Sequence, residues 1–294
     1  MRLSEEQVRT FREDGVLVIE NLLTSEDLSG VISEYEMWID TKARQLKSEG
    51  KITDLCEKEP FESRFARLYA QSSEMARDMD LMNVRGREMF AFLHNPHLLD
   101  AVESLLGSEI TCNPIQHIRA KPPSHSSNAG AGFYNVPWHQ DAGVMWREAD
   151  ASDIITVWIA LTDATVANGC MEVMPHVWKS GYLEHQAEGG TTIRPDLMPQ
   201  TEAHAVPVSA GGVVFMHRHT PHRSTPNFTD EVRWSLDLRY QPTGVPTGRP
   251  FHPDFVVRSA AHPETVLDDH AEWSRRWQTA LENSKGIKAH RTRE

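Results

Sequence analysis

His139 and Asp141 stand two residues apart in "VPWHQDAGVMW", Val136 to Trp146. In extended backbone, side chains at i and i+2 point the same way. An imidazole and a carboxylate so placed converge on one point, as a metal site or a buried hydrogen-bonded pair would require. A further histidine would distinguish the two. The stretch "MHRHTPHRSTPNFTDEVRWSLDLRY" offers His217, His219 and His222. Two histidines and one carboxylate on one face of an Fe(II) ion leave positions open for a cosubstrate and dioxygen.

The arginines help choose among the three histidines. A keto acid such as 2-oxoglutarate chelates iron through its keto-acid end and leaves a distal carboxylate unpartnered. Arginine meets a carboxylate with a planar, permanently charged fork. Arg233 follows His222 by 11 residues, with the turn-like "STPNFTD" between. A hairpin there would set the two side by side, with Ser224 adding a hydroxyl donor. His222 is therefore the expected third ligand, beside His139 and Asp141. Arg239 competes for the cosubstrate, because a regular strand projects positions 233 and 239 to one side. His217 and His219 form a rival pair with Glu172. A site of that kind needs a glutamate soon after the HxH, and "TPHRSTPNF" has none.

The elements that must position these groups fall into two textures. Ser4 with Gln7 reads as a capping box for a short helix ending near Gly15. "VLVIE" reads as a strand, and Thr24 or Ser25 opens a long amphipathic helix closing near Gly50. A second helical region spans about Met82 to Leu106, interrupted near Asn95-Pro96 and closed by Gly107. From about residue 108 the chain turns to short β-rich runs: "IITVWIAL", "CMEVM", "GVVFMH" and "VRWSLDLRY". Turn signals such as "ANG", "SAGG" and "TPNFTD" separate them. The tail from about 260 to 290 reads as helical again. Residues 1–294 are expected to form one domain. Its fold class is mainly β with flanking helices, a β-sandwich or barrel core over about 108–245 buttressed at both ends.

Composition bounds the partners. The 294 residues carry 30 basic and 42 acidic side chains, a formal charge of −12, which argues against nucleic acid and anionic membranes. A 39% hydrophobic fraction supplies a core. Cys56, Cys112 and Cys170 lie far apart with no CxxC, the pattern of free thiols in a reducing compartment. The charged N-terminus and the absence of a long apolar run point to a cytoplasmic protein with a small-molecule substrate.

Taken together, "WHQD", "NGCMEVMP" and "HRSTPNFTDEVRWSLDLRY" resemble the phytanoyl-CoA dioxygenase family of Fe(II)/2-oxoglutarate oxygenases. The opening "LSEEQVRTFREDGVLVIENLLTSEDL" and the "KPP" before the metal motif are also similar to the family's. The resemblance runs from about Leu3 to Tyr240. It implies a double-stranded β-helix, with His139, Asp141 and His222 on iron and Arg233 with Ser224 on the distal carboxylate of 2-oxoglutarate. By position it also implies that Gln140, Trp158 and Lys121 line the cosubstrate pocket. The implied reaction couples dioxygen and 2-oxoglutarate to hydroxylation of an organic substrate, releasing succinate and CO2. Desaturation, ring closure and epimerisation share that chemistry. Retained Asp141 argues against halogenation, which needs its position vacant. A binding jelly roll without turnover is the alternative from another class. One departure is local: the family commonly reads "PGSH" after the NG turn, where this chain reads "PHVW", Pro175 to Trp178. Residues 122–135 and 179–203 are long loops, candidate lids over the substrate.

Overall fold

The computed structural model describes residues 1–125, 135–187 and 191–291. The helices begin where their caps predict. In α1 (Glu5–Asp14) the Ser4 hydroxyl accepts from the Gln7 N–H at 3.2 Å, and the Gln7 side chain accepts from the Ser4 N–H at 2.8 Å. Gly15 ends it at φ 74°, and a Cβ there would lie 2.1 Å from the Trp178 ring, so glycine is required twice over. Thr24 and Asp27 form a second reciprocal cap for α2 (Ser25–Ser48), after strand β1 (Val16–Ile19). Next come α3 (Phe61–Gln71), α4 (Leu81–Val84), α5 (Arg87–Leu93) and α6 (Pro96–Leu106). The Met82–Leu106 region is therefore broken once more than its sequence suggests. Arg85 turns left-handed at φ 49° ahead of Gly86. Helix α3 was not expected, for it follows Pro60 with no side-chain cap to announce it.

The strands are short, as the turn spacing predicts. They are β2 (Ile110–Cys112), β3 (His117–Lys121), β4 (Ile155–Ala160), β5 (Met171–Val173), β6 (His185–Ala187) and β7 (Thr191–Ile193). After them come β8 (His204–Val206), β9 (Val213–His217), β10 (His222–Ser224), β11 (Arg233–Pro242) and β12 (Phe255–Arg258), before the closing helix α7 (His270–Asn283). A seven-stranded sheet runs β1-β9-β4-β11-β2-β12, with β3 also paired to β11, and a three-stranded sheet runs β10-β5-β8. Every pairing is antiparallel. This is the jelly roll that the family resemblance implied, with one extension. The large sheet recruits β1 and β12 from outside 108–245.

Side-chain alternation builds the two cores. On β11, Trp234, Leu236, Leu238 and Tyr240 join the apolar layer under the helices. Phe61 stacks on Trp234 at 4.8 Å between ring centroids, and Phe65 meets it edge-on at 5.1 Å. A smaller apolar cluster, including Trp158, Cys170, Met171, Val173 and Val214, fills the space between the sheets. The three cysteines are unpaired. Among the described residues no helix is long and apolar enough to cross a membrane.

Candidate metal centre

The segment carrying His139 crosses the edge of the three-stranded sheet. There His139 and His222 form an isolated antiparallel bridge. His139 N–H donates to the His222 carbonyl at 3.0 Å, and His222 N–H donates back at 2.9 Å. The rings lie side by side, centroids 4.1 Å apart. Each Nδ1 sits 2.9 Å from a backbone carbonyl two residues upstream, Pro137 for His139 and Thr220 for His222. A carbonyl accepts, so each Nδ1 holds the proton and each Nε2 keeps its lone pair.

Those lone pairs face Asp141. Gln140 is extended (φ −114°, ψ 143°), which returns Asp141 to the side of His139, and a 3-10 turn then diverts the chain. His139 Nε2 lies 3.9 Å from Asp141 Oδ1, and His222 Nε2 lies 4.0 Å from Oδ2. The three ligand atoms fall within 4.8 Å of one another, the one such grouping of His, Cys, Asp and Glu among the described residues. Burial, then the neighbouring His222, pushes the His139 imidazolium down to about 3. Burial works against the Asp141 charge, but Arg239 and the histidines hold its carboxyl well below the usual carboxylate range. Two neutral imidazoles and an ionised carboxylate are the donor set of a divalent metal.

The carboxylate is braced from the large sheet. Arg239 donates to Oδ1 and the Thr156 hydroxyl to Oδ2. Arg239 is thus a partner of Asp141, which removes it as a rival for the cosubstrate. Sequence parity had put it on the inward side of β11, but parity could not name its partner. Thr156 carried no signal at all.

Arg233 lies at the start of the same strand, 3% exposed, and donates to the Ser235 hydroxyl at 2.7 Å. Its guanidinium carbon stands 5.1 Å from the centre of the Trp158 ring. Its Nε is buried without a hydrogen-bond partner. Lys121 is its register partner across β3. Burial, then the Arg233 charge, lowers the Lys121 ammonium to about 7. Ser224 lies on β10, its hydroxyl accepting from Val136 N–H at 3.3 Å. Gly169, in the "ANG" turn, approaches so closely that a Cβ would lie 2.4 Å from the Thr225 carbonyl oxygen.

Several expectations need correction. His222 and Arg233 are not hairpin neighbours: β10 pairs with β5 in the small sheet, whereas β11 pairs with β4 and β3 in the large one. The turn between them carries the chain from the small sheet to the large one. Gln140 is not a free pocket contact. Its amide donates to Gly181 and His219 carbonyls at 2.9 and 2.7 Å and accepts from Leu183 N–H at 2.7 Å. It braces the 181–185 loop against the metal segment. His217 and His219 pack with Trp178, 4.4 Å from the His217 ring, and Glu172 pairs with Arg223 at 2.6 Å, so the rival HxH set does not assemble. "PHVW" docks on the end of α1, with Trp178 Nε1 donating to the Glu13 carbonyl at 3.3 Å. Of the candidate lids, residues 126–134 and 188–190 lie outside the described residues. Within the second, β6 and β7 form a hairpin held to the metal segment by Ile193 N–H on the Trp138 carbonyl at 2.8 Å.

Comparison with known proteins agrees with this architecture. The profile of the family described as phytanoyl-CoA dioxygenase (PhyH) matches residues 11–235. A probable phytanoyl-CoA dioxygenase of Caenorhabditis elegans is 26% identical over 256 residues, spanning 81% of this chain and 75% of its own. Among solved structures, the non-heme monooxygenase ThoJ in its apo form superposes with a TM-score of 0.64 at 23% identity, covering 95% of this chain and 98% of its own. The epimerase SnoN, in complex with Fe3+, alpha-ketoglutarate and nogalamycin RO, gives a TM-score of 0.58 at 20% identity over 84% of this chain and 88% of its own. With most of its length matched by one profile and its jelly roll shared with non-heme oxygenases, the chain belongs to the phytanoyl-CoA dioxygenase family.

Proposed function

We propose that this protein is an Fe(II)- and 2-oxoglutarate-dependent dioxygenase that hydroxylates a small organic molecule. The observation that carries this is the bridged histidine pair, whose Nδ1 protons are fixed on backbone carbonyls while both Nε2 lone pairs meet one ionised carboxylate. His139, Asp141 and His222 would hold the metal. The unpartnered Nε of Arg233 fits an anion inside the barrel, and Ser224 and Lys121 would complete a seat for the distal carboxylate. Trp158 walls that seat beneath the guanidinium.

Once bound, iron and 2-oxoglutarate supply a two-electron oxidation of a C–H bond with dioxygen, releasing succinate and CO2. The protein's own work is placement. Arg239 and Thr156 fix the Asp141 carboxylate, and the His139–His222 bridge fixes both imidazoles. The Trp158 and Val214 side of the barrel keeps water from the cosubstrate end.

Anaerobic titration of Fe(II) into protein with 2-oxoglutarate tests the assignment. A visible charge-transfer band is expected, followed in air by succinate release. Tight binding of both without succinate from any substrate, or uncoupled, would favour the non-catalytic alternative. Epimerisation is the named activity of SnoN, which shares this fold. Product analysis with isotopically labelled dioxygen separates the outcomes. Hydroxylation places label in the product, whereas desaturation, ring closure or epimerisation does not.

A further inference from the structure

Alternation along β11 puts Arg233, Ser235, Asp237 and Arg239 on the side of Asp141, followed by Gln241 at the strand's end. Three of these are tied down. Arg233 donates to Ser235 at 2.7 Å, and Arg239 donates to Asp141 and, at 3.1 Å, to the Ile115 carbonyl. Asp237 has no such tie. Its Oδ1 is buried with no hydrogen-bond partner, and its Oδ2 stands 3.6 Å from the Arg239 guanidinium, beyond hydrogen-bonding distance. A carboxylate oxygen left so is costly unless a donor comes to it.

The same residue is the least buried of the four. The Asp237 side chain is 22% exposed, against 3% for Arg239. Its register partner across β3, His117, is 19% exposed and is already committed to Asp80 at 2.6 Å. One guanidinium therefore stands between two carboxylates and serves Asp141 first. Asp237 is left with a part-exposed carboxylate whose Oδ1 has no hydrogen-bond partner, separated from Asp141 by one shared guanidinium.

We propose that Asp237 is the substrate-recognition residue, accepting a hydrogen bond from a hydroxyl or ammonium group that the substrate presents next to the metal centre. This rests on the oxygenase reading above and narrows its substrate class. An ionised carboxylate can only accept. Substrates with a donor at that point are favoured, and substrates with an anionic group there are repelled.

Four probes of one shape test this: benzylamine, benzyl alcohol, benzyl methyl ether and benzoate. Each is titrated anaerobically into protein loaded with Fe(II) and 2-oxoglutarate, with the charge-transfer band as readout. In the wild type, the amine and alcohol are expected to shift the band and to bind at least about tenfold tighter than the ether and benzoate. Asp237→Asn keeps an acceptor but no charge, so it should lose the amine by about tenfold while retaining the alcohol. Asp237→Ala should lose both. The proposal is overturned if benzoate binds best, if no probe shifts the wild-type band, or if Asp237→Ala binds amine and alcohol as tightly as wild type. The wild-type ranking tests it even if a variant fails to fold. Absence of the band before any probe is added would instead defeat the oxygenase reading.

Discussion

The two faces of β11 solve different problems with one stretch of backbone. Its even positions, Trp234, Leu236, Leu238 and Tyr240, are fully buried against helices and contribute by area removed from water. Its odd positions, Arg233, Ser235, Asp237 and Arg239, hold charges and a hydroxyl inside the barrel, where each costs desolvation unless partnered. Arg239 and Asp141 offset each other, while Arg233 Nε, Asp237 Oδ1 and Arg239 Nε itself remain buried without hydrogen-bond partners. Stability sits on one face and binding capacity on the other. The unpartnered polar groups inside the barrel are tolerated because the apolar layer behind them is large and fully buried.

Substitutions should split along this line. The largest effect belongs to the proposed metal ligands: His139→Ala or His222→Ala should abolish the charge-transfer band while the protein melts cooperatively. Retention of the band in either variant would remove that residue from the ligand set. Next, Trp234→Ala empties a site packed by Phe61 and Phe65 and should cost about 3–5 kcal/mol in denaturant unfolding. The band of the remaining folded protein should be unchanged, and a shifted band would mean the faces are not separable. Arg233→Gln should do the reverse, weakening 2-oxoglutarate by about 10–100-fold in calorimetry with little change in unfolding midpoint. A large loss of stability with unchanged affinity would make Arg233 a packing residue.

The smallest effect is a pH dependence carried by Lys121. Its ammonium is lowered to about 7, so the folded chain sheds a proton that the unfolded chain keeps up to the ordinary lysine range. Stability from this group is lowest below pH 7 and rises as pH climbs above it. Cosubstrate binding should show the opposite sign. A dianion favours the protonated lysine, so 2-oxoglutarate affinity should fall between about pH 7 and 9. Lys121→Met should flatten that slope, and an unchanged slope would assign the titration elsewhere.

Local chemistry was legible in the sequence where it repeats a short-range rule. The caps at Ser4 and Thr24, the stop at Gly15 and the convergence of His139 with Asp141 follow from spacings of a few residues. So did the shared side of Arg233 and Arg239. What escaped depends on which strands meet. Nothing near Thr156 or Arg239 says that both will reach Asp141, 15 and 98 residues away in the chain. The placement of Arg233 and His222 in different sheets reflects a turn that switches sheets, and turn residues look alike in either case. Gln140 was assigned by position in a family motif, and its partners from residues 181–183 and 219 became visible only once the loops were placed.

The bridge between His139 and His222 has a consequence for selectivity. Both imidazoles are held by main-chain hydrogen bonds that form as the chain folds. The nest thus exists before any ion enters it, unlike small domains that fold only around their metal. Such a site cannot reject the wrong ion by declining to fold. Competition then follows the general affinity order of divalent metals, in which Fe(II) ranks below cobalt, nickel and copper. On the proposed assignment, which ion fills the nest would be decided by what the surroundings supply, and a preparation's activity would report its history of exposure as much as its sequence.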